Sequence, residues 1–198
     1  MPKMSCLFAP AGPAVLAALR GDPVAAARLH CMSEVPGVRG PGPLAVVLLS
    51  GVVEPPWTAD PEGWQRAPGL AADALDEHPW LGDELPPPAV MAGWTRIARA
   101  THQPLAWWWW WERGDDLYAD AAWLMGADAD MLAVRVTPLA ADVETDRATL
   151  YLGARAEPFH EAPLQRALGH LGFESLHQYF VPTDQWRFDW EPFRDRCR

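Results

Sequence analysis

Residues 104–115 read PLAWWWWWERGD, and the run of five tryptophans inside this stretch decides the fold. Successive side chains of a β-strand point to opposite faces of the sheet. Trp107, Trp109 and Trp111 would therefore share one face of a strand. Trp108 and Trp110 would lie on the other face, whereas in a helix the five rings would point in all directions. Because a row of exposed rings would leave a large apolar patch, we predict a central strand that is covered on both faces.

The segments around this run predict helices and strands in separate blocks. Proline in a first turn and Gly21 at the end mark one helix, and Asp22 followed by Pro23 marks the start of the next. The predicted helices are 13–20, 22–32, 89–101 and 162–171. The predicted strands are 5–9, 44–53, 105–112, 117–125, 131–137 and 148–153, and a core helix is the alternative for 44–53. This order favours an α+β fold over a doubly wound one. We expect a single domain, 1–198, with a mainly antiparallel sheet, N-terminal helices packed on one face and a C-terminal helix.

The proline-rich region 54–88 is the least regular part of the chain. We expect a short helix at 69–75 and surface loop elsewhere, carrying Trp57, Trp64 and Trp80. These rings must pack either on their own domain or on a partner, and aromatic residues are frequent anchors of protein interfaces. We therefore take the three tryptophans as interface candidates. Asp115 and Asp116, in the turn after the tryptophan run, are candidates for a charged rim.

The charge of the chain excludes one large class of partner. The net charge is −10, Lys3 is the only lysine, and the arginines are scattered. A phosphate-binding surface needs clustered Lys and Arg, so we expect no nucleic-acid binding. The acidity suits solubility or a basic protein partner.

Four observations predict a cytoplasmic bacterial protein that does not bind a membrane. The start of the chain lacks the layout of a signal peptide, and the longest apolar stretch, 44–53, is too short to span a bilayer. Cys6, Cys31 and Cys197 are an odd number at no metal-ligand spacing, and we interpret them as reduced thiols. An excess of Ala, Arg, Pro and Trp over Lys, Ile and Asn is typical of a GC-rich bacterial genome.

Motifs that carry catalytic chemistry are absent from the sequence. It has no glycine-rich phosphate loop, no His-Glu-x-x-His and no Gly-x-Ser-x-Gly. The acidic clusters lack the glycine and distal glutamate of calcium loops, so we predict no metal site and no cofactor. His160, His170 and His177 are the acid/base candidates if the chain is an enzyme.

These observations support a binding protein more than an enzyme. In its general layout the chain resembles small, acidic bacterial proteins that neutralise polymorphic toxins, although it shares no motif with them. The resemblance implies an immunity protein that binds a cognate and possibly basic toxin directly. The alternative is an enzyme with a Trp-lined pocket and a histidine acid/base, acting on a small or sugar-like ligand. A third interpretation is a module of a larger assembly that docks through the aromatic tail, 186–193.

Overall fold

The computed structural model describes residues 3–32, 38–50, 56–66, 69, 71–113, 117–138, 147–152, 155–158 and 160–175. The helices are α1 (Pro13–Gly21), α2 (Pro61–Arg66), α3 (Ala71–Glu77), α4 (Leu81–Glu84), α5 (Pro88–Thr101) and α6 (Pro163–His170). The strands are β1 (Lys3–Pro10), β2 (Leu29–Met32), β3 (Val38–Arg39), β4 (Leu44–Ser50), β5 (Leu105–Arg113), β6 (Leu117–Met125), β7 (Met131–Pro138), β8 (Arg147–Leu152), β9 (Arg155–Pro158) and β10 (Glu174–Ser175). The α+β fold class is confirmed.

Eight of these strands form one antiparallel sheet in the order β2-β4-β1-β5-β6-β7-β8-β9. The consecutive strands β5 to β9 form a meander in which each strand pairs with the next. The strands β5 to β8 were predicted, whereas β9 was not. On the other side of β5, the N-terminal strand β1 pairs antiparallel with it and with β4. The strand of tryptophans therefore lies in the middle of the sheet, as predicted.

The rings of β5 alternate between two cores. Trp107 and Trp109 are fully buried in the core that the sheet forms with α1 to α5. Trp108 is buried on the opposite face, in the core under α6, and Trp110 packs there while partly exposed. Trp111 packs on the same side as Trp107. The predicted division of the rings between two covered faces is confirmed.

The buried indole of Trp107 has a polar partner that the sequence did not reveal. Its Nε1 donates a hydrogen bond of 2.8 Å to Oγ of Ser5, a buried residue of β1. A buried indole N–H without an acceptor is unfavourable, so this bond explains a serine in an otherwise apolar strand.

The prediction of a helix at 22–32 is wrong. Asp22 does cap a turn, because its Oδ1 accepts hydrogen bonds of 2.9 and 2.8 Å from the backbone N–H groups of Val24 and Ala25. Only a short 3-10 helix, Ala26–Arg28, follows, and the chain then enters β2. Pairing of β2 with β4 satisfies the backbone groups of β2 on one side, and this long-range interaction overrides the local helical preference of the segment.

The prediction that most of 54–88 is surface loop is also wrong. The expected short helix is α3, and α2 and α4 flank it. An Asp-Pro pair, the same start signal that marks the turn at Asp22, begins α2, with Asp60 before the helix and Pro61 as its first residue. Oδ1 of Asp60 accepts a hydrogen bond of 2.8 Å from the backbone N–H of Gly63. The start of α2 was therefore readable from the sequence.

The cysteines differ from the prediction of three reduced thiols. Cys6 is free and fully buried, and burial raises its pKa above the ordinary range, so it is an unreactive neutral thiol. Cys31, on β2, is disulfide-bonded. The cysteine content therefore gives no support to a reducing compartment, and the cytoplasmic location stays a prediction.

Candidate functional site

Two partly exposed tryptophans each lie on a fully buried one. Trp80, just before α4, stacks on Trp109 with ring centroids 5.2 Å apart and an interplanar angle of 28°. Trp57 meets Trp94 of α5 edge-on, with centroids 6.3 Å apart and an angle of 75°. Trp94 and Trp109 are 0% and 1% exposed. The two partly exposed rings are therefore held in place by the core while part of their surface faces solvent.

The third tryptophan of this region belongs to the core. Trp64, on α2, is only 5% exposed and packs against Trp123 of β6 with ring centroids 5.4 Å apart. Its Nε1 donates a hydrogen bond of 3.1 Å to the backbone carbonyl of Pro86. Trp64 fixes α2 to the sheet, so a partner has little of its ring to contact. Of the three candidates, Trp57 and Trp80 are partly exposed and Trp64 is buried.

The part of the chain that carries these rings accounts for more than half of the net negative charge. We define the acidic segment as residues 56–85, which contain seven carboxylates and one arginine, a net charge of −6 out of −10. On α3, Asp73, Asp76 and Glu77 are exposed and follow helical spacing, whereas Ala74 is buried and Leu75 packs against the core. Asp83 is exposed on α4. The outer surface of this segment is therefore acidic.

A polar cluster joins the acidic segment to the sheet. The hydroxyl of Tyr151, on β8, donates a hydrogen bond of 2.5 Å to Oε2 of Glu77 at the end of α3. Burial raises the pKa of Tyr151, and the Glu77 carboxylate adds to this effect. The ring of His78 lies 5.8 Å from Trp80 and 6.5 Å from Tyr151, centroid to centroid. Burial lowers the pKa of His78, and the nearby Glu77 carboxylate partly opposes this shift.

The three histidines proposed as acid/base candidates do not come together in the part of the chain that the structure describes. His160 is exposed, and His177 lies outside the described residues. His170, at the end of α6, is half-buried and lines a cavity of about 510 Å³. The lining includes Phe173 and Met131, and no tryptophan among the described residues. One of the three histidines therefore lies in a cavity, and its described lining does not match the predicted Trp-lined pocket.

His170 has a fixed orientation in this cavity. Its Nε2 lies 3.0 Å from the backbone carbonyl oxygen of Met125. A carbonyl can only accept, so Nε2 carries the hydrogen of this bond. The nearby ionic groups are Glu161 and Arg166, whose Oε2 and Nη1 are 3.8 Å apart, and Glu174.

The remaining predicted contact residues are the two rim candidates and the aromatic tail. Asp115, Asp116 and the aromatic tail, 186–193, lie outside the described residues. Within the described part, no group of three or more His, Cys, Asp and Glu side chains is arranged to hold a metal ion. None of the described helices is long and apolar enough to cross a membrane.

Sequence reasoning missed Glu77, His78 and Tyr151. Glu77 and Tyr151 are 74 residues apart in the chain, and neither belongs to a motif. The His-Pro-Trp sequence at 78–80 gave a weak local signal of an aromatic turn, but nothing in it indicated contact with β8.

Comparison of the chain with protein-family models, with curated proteins and with solved structures finds no match in any of the three.

Proposed function

We propose that this chain is a protein-binding module, and most specifically a bacterial immunity protein that neutralises a cognate polymorphic toxin by direct binding. The observation that carries the proposal is the pairing of exposed carboxylates with two core-supported tryptophans, Trp57 and Trp80, on the acidic segment. The partner that this surface fits is a basic protein domain.

The acidic segment suits the capture of such a partner by electrostatic steering. Clustered carboxylates raise the local concentration of a basic protein and the rate of productive encounters. Asp73, Asp76 and Asp83 make no ion pair or hydrogen bond with another described residue. Their charges are therefore available to a partner.

The two tryptophans suit the role of contact anchors. Most of the binding energy of a protein interface comes from a few side chains, and tryptophan is enriched among them. A ring already fixed by a buried neighbour loses little conformational freedom when a partner covers it. Trp80 on Trp109 and Trp57 on Trp94 have this arrangement.

The enzyme alternative has one observation in its favour, the position of His170 in the cavity beside α6. A catalytic histidine acts together with other groups that contact the same substrate. Glu161 and Glu174 line this cavity with His170, but neither makes a hydrogen bond or an ion pair with His170. His160 is exposed and is not among the described residues that line this cavity. We therefore place the protein-binding proposal first.

The partner to test is the protein encoded by the gene next to the one that encodes this chain. We expect native mass spectrometry at micromolar concentration to show a one-to-one complex, and an activity assay of that product to show inhibition. Trp80→Phe keeps an aromatic ring on Trp109 but removes the indole edge, so it should weaken the complex without unfolding the chain. Absence of a complex at micromolar concentration would contradict the proposal.

A further inference from the structure

We propose that the hydrogen bond between Tyr151 and Glu77 positions the partly exposed ring of Trp80, with the ring of His78 as the contact between them. The inference rests on the proposed function in one respect, namely that Trp80 is an anchor for a partner. Tyr151 is only 1% exposed, so a partner reaches almost none of its surface. Tyr151 is therefore a positioning residue, which acts on a partner only through the ring of Trp80.

The two short helices beside Trp80 need contacts with the rest of the domain to hold their places. α3 has seven residues and α4 has four, and isolated helices of these lengths are not stable in water. Trp80 lies in the turn that joins them. The position of its ring is therefore set by what fixes the end of α3 and the start of α4.

The bond from Tyr151 fixes the end of α3. Tyr151 lies on β8 and packs in the core that the sheet forms with α1 to α5. Its hydroxyl donates a hydrogen bond of 2.5 Å to Oε2 of Glu77, the last residue of α3. Hydrogen bonds between a hydroxyl and a carboxylate at this distance are among the stronger ones in proteins. The C-terminal end of α3 is therefore tied to the sheet.

The turn that carries Trp80 follows this fixed point directly. The backbone N–H of His78 donates a hydrogen bond of 2.7 Å to the carbonyl of Ala74, and the carbonyl of His78 accepts one of 2.9 Å from the N–H of Leu81. Pro79 stands between His78 and Trp80, and its ring restricts φ. The backbone thus has little freedom between the end of α3 and Trp80.

A row of four rings joins the same residues through their side chains. The ring of His78 meets Tyr151 edge-on at 6.5 Å and lies 5.8 Å from Trp80, which stacks on Trp109 at 5.2 Å. Both ends of the row, Tyr151 on β8 and Trp109 on β5, are 1% exposed. Without the hydroxyl of Tyr151, the end of α3 and the ring of His78 would lose this tie, and Trp80 would keep only its stacking on Trp109.

The test is ¹⁵N relaxation of the indole N–H groups in the full chain, which needs no partner. The signal of Trp80 is the one that disappears in Trp80→Phe. We expect an order parameter for Trp80 of about 0.8 in the unchanged chain and below about 0.6 in Tyr151→Phe. The ring of Trp57, which rests on Trp94, should stay equally ordered in both. A Trp80 ring as ordered in Tyr151→Phe as in the unchanged chain would overturn the proposal.

Variants of α3 separate the bond from a general effect of charge or folding. Glu77→Ala removes the acceptor at an exposed position and should loosen Trp80 as Tyr151→Phe does, which keeps the test decisive if Tyr151→Phe fails to fold. Glu77→Gln keeps an oxygen that accepts the bond, so it should leave Trp80 ordered. Asp76→Ala, the matched control, removes an exposed carboxylate of the same helix. Equal loosening of Trp80 by Asp76→Ala and Glu77→Ala would overturn the role of the bond.

A double-mutant cycle then measures the consequence for binding of the protein encoded by the adjacent gene. Tyr151→Phe should weaken the complex about fivefold, because a mobile ring must be fixed when the partner covers it. In a Trp80→Ala background, Tyr151→Phe should cause no further loss of affinity. The same loss in both backgrounds would overturn the positioning role. Absence of any complex with the unchanged chain would instead contradict the proposed function, whereas the relaxation measurement would still decide whether the bond orders Trp80.

Discussion

The ring of Trp80 stacks on the ring of Trp109, with centroids 5.2 Å apart. One ring belongs to a proline-rich region of irregular sequence, and the other is the third residue of the tryptophan run. The contact therefore ties the surface that we propose as an interface to the central strand of the sheet. A partner that binds this surface would therefore contact a ring that the rigid core holds in place.

The stability of the fold should depend more on Trp109 than on Trp80. Trp109 is 1% exposed, so Trp109→Ala should lower the free energy of unfolding by about 3–5 kcal/mol. Trp80 is partly exposed, so Trp80→Ala should cost less, about 1–3 kcal/mol. Urea unfolding measures both values. A larger loss for Trp80→Ala than for Trp109→Ala would contradict the burial of the central strand.

Asp130 should be important for stability because it joins α5 to the turn between β6 and β7. Its Oδ2 accepts hydrogen bonds from Oγ1 of Thr95 at 3.0 Å and from Nε1 of Trp123 at 3.4 Å. Its Oδ1 lies 3.9 Å from Nη2 of Arg99. Asp130→Ala should lower the free energy of unfolding by about 1–3 kcal/mol.

Asp128 is the matched control for Asp130. It lies in the same turn and is exposed, so Asp128→Ala should change the free energy of unfolding by less than about 0.5 kcal/mol. Thermal or urea unfolding of the two variants compares them directly. An equal loss of free energy of unfolding in the two variants would contradict a specific stabilising role for the contacts of Asp130.

Stability should fall in mildly acidic solution because of His78. Burial lowers its pKa below the ordinary 6.5, so the unfolded chain binds a proton at this residue before the folded chain does. The free energy of unfolding should therefore decrease as the pH falls below about 6.5, until His78 is protonated in the folded chain as well. His78→Gln should make the stability less dependent on pH between 7 and 5. An identical pH profile for the variant would show that His78 does not contribute.

Most of the fold was predictable from patterns in the sequence, and the errors of that prediction have physical causes. The run of tryptophans indicated a strand with two covered faces, and the turn composition after Arg113 and Met125 indicated antiparallel connections to its neighbours. Both are strong local signals. Leu29–Met32 was predicted as part of a helix but forms β2, because its pairing with β4 is a long-range interaction that local sequence does not indicate. Helices as short as α4, with four residues, carry too little pattern to be recognised.

The candidate site was predictable only in part. The sequence indicated that Trp57, Trp64 and Trp80 mattered, but it could not show that Trp64 is buried and that the other two rest on buried rings. The bond between Tyr151 and Glu77 joins residues far apart in the chain, and a single sequence carries no record of such pairs.

The central claim is that the acidic segment captures a basic partner, and the most direct test is the association rate with the product of the adjacent gene. Asp73→Asn, Asp76→Asn and Asp83→Asn together remove three exposed charges of this segment. The control, Asp128→Asn, Glu157→Gln and Glu161→Gln, changes the net charge equally but lies outside it. At low salt we expect the first triple variant to associate roughly tenfold more slowly than the control. Equal rates for the two triple variants would contradict the account.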